Sequence, residues 1–174
     1  KAKKLILAAK KSGADFVKFQ AFDADELCLE DSIKADYQKR DNSKETQYQM
    51  LKKLSLSQSK IKLLFKYARQ QKIKLMFSVF DNLSLKFINR CNFEFIKLPS
   101  GEINNYKLIK DLALSKSKII FSSGASNLND IKNCLRILIK KKKLRDITLM
   151  HCNSEYPTPL EDLNLNVINT LKKK

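Results

Sequence analysis

The spacing of hydrophobic positions switches back and forth along this chain. Five short runs are apolar at nearly every position: DFVKFQ (15–20), KLMFSVF (74–80), FEFIKL (93–98), KIIFSS (118–123) and ITLMHC (147–152). Runs of that length, without a clean polar face, predict parallel strands covered on both sides. Between them apolar residues return every three or four positions. This predicts helices over Lys1–Ser12, Ser57–Gln71, Leu83–Arg90, Tyr106–Ser115, Leu128–Lys143 and Leu160–Lys172. Ser57 and Asn127 stand where N-caps belong. Strand and helix alternate throughout, so the fold class is α/β with a parallel sheet. Five strands are too few to close an eight-stranded barrel. They fit either an open doubly wound sheet or most of a barrel whose other strands lie elsewhere. Residues 21–56 break the alternation. They read as a loop plus a short helix, and an insertion after a strand's C-terminal end suggests a lid.

Composition narrows the class. The chain has 174 residues, of which 43% are hydrophobic and ten are Phe, enough for one packed core. No apolar run approaches the ~18 residues of a membrane span. The first residues form a Lys-rich amphipathic stretch without initiator Met or signal peptide, so the chain reads as a piece of a longer protein. Cys28, Cys91, Cys134 and Cys152 are scattered, with one His in the whole chain. That spacing argues against structural zinc and for free thiols in a reducing cytoplasm. The net charge of +17 raises the question of nucleic acid. Lysines dominate, spread along every predicted helix, and aromatics do not interleave with them as a stacking surface requires. The positive field instead favours small anionic substrates.

Candidate chemistry gathers where the strands end: Lys18 and Gln20; Ser78 and Asp81; Lys97, Ser100 and Glu102; Ser122 and Ser123; His151, Asn153, Ser154 and Tyr156. In both parallel architectures, ligands bind at that edge. Lys18 and Gln20 are two apart and share a strand face. An unpaired buried ammonium is costly, so two lysines on neighbouring strands predict an anion between them. SSGAS, ahead of the helix starting near Asn127, offers a second anion signal from hydroxyls and the helix dipole. Glu102, after a tight turn, is the acid/base candidate. Tyr156, ahead of Pro157 and Pro159, reads as an aromatic held over the pocket. His151 alone reads as structural. No Gly-rich phosphate fingerprint or nucleophile elbow is present. The residues by themselves define a parallel α/β enzyme for an anionic small molecule.

Five stretches in order carry a resemblance: GADFVKFQ, FSVFDNLSLKFI, FIKLPSGEINNYKLI, IIFSSGASNLNDI and LMHCNSEYPTPLEDLNL. Together they resemble the sialic acid synthase family, which includes N-acetylneuraminate and legionaminate synthases. The resemblance covers essentially the whole chain, although Ser78 stands where many members carry Thr. It implies a partial (β/α)8 TIM barrel over residues 1–174, with about five to six βα units. The first strand, the last strands and a C-terminal antifreeze-like domain would be missing. The implied reaction condenses phosphoenolpyruvate with an N-acetylmannosamine-type sugar and releases phosphate. By motif position Lys18, Ser78, Lys97, Ser100, Ser122 and Ser154 would contact phosphoenolpyruvate. Gln20, Phe80, Glu102 and Tyr156 would face the sugar, and Glu102, Lys97 and Lys18 would be catalytic. A divalent metal, Mn²⁺ or Mg²⁺, is implied with its ligands outside these residues. So are a homodimeric full-length protein, a cytoplasmic location, and no membrane or dedicated nucleic-acid partner. The alternatives are a Schiff-base pyruvate aldolase using Lys18 or Lys97, and an inactive truncated copy.

Overall fold

A computed structural model describes residues 1–35, 38, 45–155 and 157–173. Five strands form one parallel sheet: β1 (Phe16–Ala21), β2 (Lys74–Val79), β3 (Phe95–Leu98), β4 (Lys118–Ser122) and β5 (Ile147–Met150). Their order in space is their order in sequence, β1-β2-β3-β4-β5. This settles what the sequence left open. A doubly wound sheet reverses direction at a switch point and puts helices on both faces. Here every step moves the same way. Right-handed crossovers then place every connecting helix on one face, which is the winding of a barrel wall.

The helices are α1 (Ala2–Lys11), α2 (Ala24–Leu27), α3 (Gln47–Leu54), α4 (Gln58–Gln70), α5 (Asn82–Arg90), α6 (Tyr106–Ala113), α7 (Leu128–Ile139) and α8 (Val167–Lys173). The apolar stripes of α1, α4, α5, α6 and α7 cover the outer face of the sheet. Phe77, Val79, Ile96, Leu98, Ile119 and Phe121 are essentially inaccessible beneath Ile6, Ile61, Leu85, Ile88, Leu108 and Leu138. One row of rings crosses the core: Phe19 to Phe77 at 6.2 Å, Phe77 to Phe93 at 5.1 Å, and Phe93 to Phe65 of α4 at 5.1 Å. Cys134 lies in this core, where burial pushes its thiol up to about 12. All four cysteines are free.

The inner face differs. By strand alternation it carries Phe16, Lys18 and Gln20 of β1, Met76 and Ser78 of β2, Phe95 and Lys97 of β3, and Ile120 and Ser122 of β4. Lys18 and Gln20 are exposed, and Phe16, Phe95, Lys97 and Ile120 are half-buried. The Phe16 and Phe95 rings meet edge-on at 5.3 Å on this open side.

Local chemistry fixed the ends of the elements. Lys72 and Asn92, with φ of 54° and 55°, turn the chain out of α4 and α5. Two helices are shorter than the periodicity predicts. The stretch expected to be helical over Leu160–Lys172 is broken at Asn164, which takes a left-handed φ of 29° between a 3-10 turn at Leu160–Asp162 and α8. The helix expected to run to Lys143 stops at Ile139. Beyond it the Lys142 ammonium donates to the Ser115 and Ser117 carbonyls, pinning this basic run under the start of β4. Burial lowers the Lys142 pKa there.

Among the described residues of the insertion after β1, two short helices form, α2 and α3. Asp23 caps α2, and Thr46 with Gln49 forms a capping box on α3. Asp25 accepts hydrogen bonds from Lys52 Nζ at 2.8 Å and Tyr48 Oη at 2.7 Å. Glu45 pairs with Lys34 and Lys53, each at 2.7 Å. These partners, Lys52 and Lys34 foremost, hold both carboxyls below their usual range.

Candidate active site at the C-terminal edge of the sheet

Strand register aligns much of the predicted chemistry. Gln20, Ser78, Lys97, Ile120 and Thr148 form one transverse row, each the partner of the next. In-register residues of parallel strands point to the same face, so Gln20, Ser78 and Lys97 look inward together. Lys18 lies one pleat below Gln20 and level with Met76. The two lysines were expected on neighbouring strands. They stand instead on next-but-one strands, with β2 between them, which places their backbones about 10 Å apart across the sheet. Two long side chains span such a gap comfortably around an anion. Lys18 reaches solvent, yet partial burial holds its ammonium below the ordinary lysine value, and the Lys97 charge lowers it further. The Lys97 charge therefore reaches Lys18, and an anion held between them would offset that repulsion.

Three loops close over the upper end of this row. Ser100 opens a 3-10 turn, Ser100–Glu102, immediately after Pro99. Ser122 and Ser123 are almost fully buried at the end of β4. Ser123 Oγ accepts a hydrogen bond from the Cys152 amide at 3.3 Å, tying the β4 loop to the β5 loop. Gly124 marks where all three meet. A Cβ there would stand 3.0 Å from the Asn153 carbonyl carbon and oxygen, and 3.2 Å from Ser100 Oγ. Gly124→Ala is therefore expected to push the β5 loop away from Ser100 and destabilise the full-length protein by about 1–3 kcal/mol. Thermal unfolding measures it, and an unchanged midpoint contradicts this close approach.

Other expected residues fall out differently. Glu102 is half-buried on the rim and accepts from Asn105 Nδ2 at 2.9 Å, while Asn105 Oδ1 caps α6 through the Leu108 amide. Its carboxylate is thus held at a helix start. Phe80 is half-buried at the mouth and packs edge-on against Phe22, 6.1 Å between centroids. Ser154 is exposed in the β5 loop, beside Asn153, whose side chain accepts from the Glu155 amide. Tyr156 lies outside the described residues. The anion signal read from SSGAS needs correction. The α7 N-terminus uses its own capping box, since Asn127 Oδ1 accepts from the Asn129 and Asp130 amides and Asp130 accepts from the Asn127 amide. Those amide donors and the dipole end are already served by a side-chain oxygen and a carboxylate. The Ser122 and Ser123 hydroxyls remain; the helix end does not.

His151 also has a structural role, its Nε2 lying 3.0 Å from the Leu163 carbonyl. Among the described residues no three His, Cys, Asp or Glu side chains gather as metal ligands. A cleft of about 550 Å³ lies on the outer side of the rim, lined by Lys52, Lys53, Lys60, Ser84, Lys86 and Arg90 among others. It opens between α3, α4 and α5, behind the sheet, and takes no part in the row described above.

In the sequence Asp81 stands out only as a polar residue at a strand end, and the structure gives it far more. The residue is 5% exposed; its carboxylate caps α5 through the Ser84 amide and hydroxyl, and accepts from the Asp23 amide across the rim at 2.9 Å. The Asp-x-x-Ser spacing signals a helix cap. The link to Asp23, 58 positions away, has no signal in sequence.

A singly wound parallel wall, with lysines on its inner face and serines along its C-terminal edge, defines part of a (β/α) barrel. The chain belongs to the NeuB family, whose sequence profile matches residues 5–174. It is 41% identical over 173 residues to the N,N'-diacetyllegionaminic acid synthase of Campylobacter jejuni, covering 98% of this chain and 52% of that protein. Against the enzyme of the same name from Legionella pneumophila, identity is 38%, with 98% and 49% covered. The crystal structure of an N-acetylneuraminic acid synthetase from Leptospira borgpetersenii, in complex with citrate, superimposes with a TM-score of 0.83 at 27% identity, covering 99% of this chain and 55% of that one. The chain spans about half the length of the curated relatives it matches. Among the described residues no helix is long and apolar enough to cross a membrane.

Proposed function

We propose that these residues form one wall of a synthase that condenses phosphoenolpyruvate with an N-acetylated, mannosamine-type sugar to give a nine-carbon acid of the sialic or legionaminic type. The observation that carries this reading is the shared inner face of Lys18, Gln20, Ser78 and Lys97, in a chain whose relatives bear those synthase names. Lys18 and Lys97 neutralise the phosphate and carboxylate of phosphoenolpyruvate. Ser78, Ser100, Ser122 and Ser154 supply hydroxyl donors, while Gln20, Phe80 and Tyr156 border the sugar. Glu102 stands near the reacting hydroxyls, held by Asn105. The methylene carbon of phosphoenolpyruvate attacks the open-chain aldehyde, and the new alkoxide takes up a proton. Water adds to the electron-poor carbon left behind, and phosphate departs with its bridging oxygen as the carbonyl forms.

The remaining staves of the barrel, and any divalent metal, belong under this reading to sequence beyond these residues. None of the steps given to this wall passes through a metal. A homodimeric, cytoplasmic full-length protein fits the same reading. The test is oxygen labelling. With phosphoenolpyruvate carrying ¹⁸O in its bridging position, the full-length protein should release labelled phosphate in the presence of a mannosamine-type sugar bearing one or two acetamido groups. Unlabelled phosphate, or no sugar-dependent release, overturns the reaction.

One observation favours a second reading. Lys18 is lowered by burial and by Lys97, the setting that activates an amine for Schiff-base formation. A pyruvate aldolase would be captured on Lys18 or Lys97 by borohydride in the presence of pyruvate. The synthase would not.

A further inference from the structure

The rim of this wall is held by one buried carboxylate that no part of the condensation uses. Asp81 follows Phe80, and its Oδ1 accepts from the Ser84 amide at 2.6 Å. Its Oδ2 accepts from the Ser84 hydroxyl at 2.8 Å and from the Asp23 amide at 2.9 Å. Those bonds join the segment after β2 to the segment after β1. The first begins at Phe80, directly after β2. The second begins at Phe22, two residues after Gln20, and leads straight into α2 and the insertion. The Phe22 and Phe80 rings pack edge-on directly beside this link.

We infer that Asp81 is a positioning residue: its carboxylate latches the β1 and β2 loops together and so sets the spacing of Gln20 and Phe80 on the sugar side of the mouth. The inference rests on the proposed condensation for what the mouth binds, and on geometry alone for the latch. Two functions of the carboxylate can be separated chemically. Asparagine caps helices about as well as aspartate, so Asp81→Asn keeps an acceptor for the Ser84 amide. Its amide group, however, presents N–H toward the Asp23 N–H, donor against donor, and the link across the rim is lost. Asp81→Ala loses both functions.

The experiment uses the full-length protein and two readouts. The first is hydrogen exchange at the Asp23 amide, which does not depend on any reaction. Asp81→Asn should speed it about tenfold, as expected for loss of one intramolecular bond to a charged acceptor, with the unfolding midpoint lowered less than in Asp81→Ala. The second is kinetic. Asp81→Asn should raise KM for the sugar about tenfold while leaving KM for phosphoenolpyruvate unchanged, because Lys18 and Lys97 are not held by this bond. Asp81→Ala should show the same split together with a lower unfolding midpoint. Unchanged Asp23 exchange in Asp81→Asn overturns the latch, and equal changes in both KM values overturn its placement on the sugar side. If the wild-type protein condenses nothing, the proposed reaction fails, and the exchange readout alone decides the latch.

Discussion

Replacing Lys97 with alanine in the full-length protein is expected to lower kcat/KM for phosphoenolpyruvate by about 10³-fold, the scale of removing a charged group from a pre-organised anion site. Lys97 lies in the middle of the inner row, beside Ser78 and across β2 from Lys18 and Gln20. Alanine leaves the strand intact and the phosphoenolpyruvate anion short of one counter-charge. Lys141→Ala serves as the control, being exposed in a turn on the far side of the fold. Lys142 would be a poor control, because its ammonium holds the Ser115 and Ser117 carbonyls. The pH dependence provides a second reading of the same variant. Lys18 is lowered first by burial and second by the Lys97 charge. A lowered lysine loses its proton sooner as pH rises, so phosphoenolpyruvate binding should fall on the alkaline side below the ordinary lysine value of 10.5. Without Lys97 one of the two lowering causes is gone, and that alkaline limb should move to higher pH. Titrating binding of phosphoenolpyruvate to both proteins measures it. Equal loss in Lys97→Ala and Lys141→Ala, or a limb that moves down, contradicts the paired site.

The largest stability effect is expected at Phe77. Its ring is wholly inaccessible and joins Phe19 on one side to Phe93 on the other, with Phe65 of α4 completing the row. Phe77→Ala removes the middle member and leaves a cavity between the sheet and its helices. Losses of that kind are about 3–5 kcal/mol. Phe77→Leu keeps most of the volume and should lose far less. Denaturant unfolding of the full-length protein gives both values, and equal losses in the two variants would show that the row of rings is not what holds this layer. The substitution lies on the outer face, away from Lys18 and Lys97. Substrate affinity per folded molecule should therefore stay near wild type.

The α/β alternation was readable because the strand runs are apolar at most positions while each helix has one apolar stripe. Those two periodicities differ enough to be told apart within a few turns. The strand ends were equally legible, since Gln20, Ser78, Lys97 and Ser122 interrupt apolar runs at or near the strands' C-terminal ends. Helix lengths were less so. A repeating pattern of Leu and Lys continues past Ile139, yet the chain leaves the helix there, with Lys142 turned onto two carbonyls far back in sequence. Leu160–Lys172 has helical spacing, and a single Asn in the left-handed region divides it. The SSGAS segment misled in another way. Its composition suits an anion, but Asn127, itself legible as an N-cap, and Asp130 close the helix start on itself.

By itself, then, the amino-acid order determined the periodic elements, the caps at Ser57 and Asn127, and which residue types end each strand, because these depend on neighbours within a turn or two. Only the tertiary structure decided the order of strands in space, the separation of the two lysines by β2, the meeting of Ser100, Gly124 and Asn153, and the reach of Asp81 to Asp23. Each of those is a contact between residues far apart in the chain. Its geometry comes from how whole helices pack on a twisted sheet, and no local pattern encodes it.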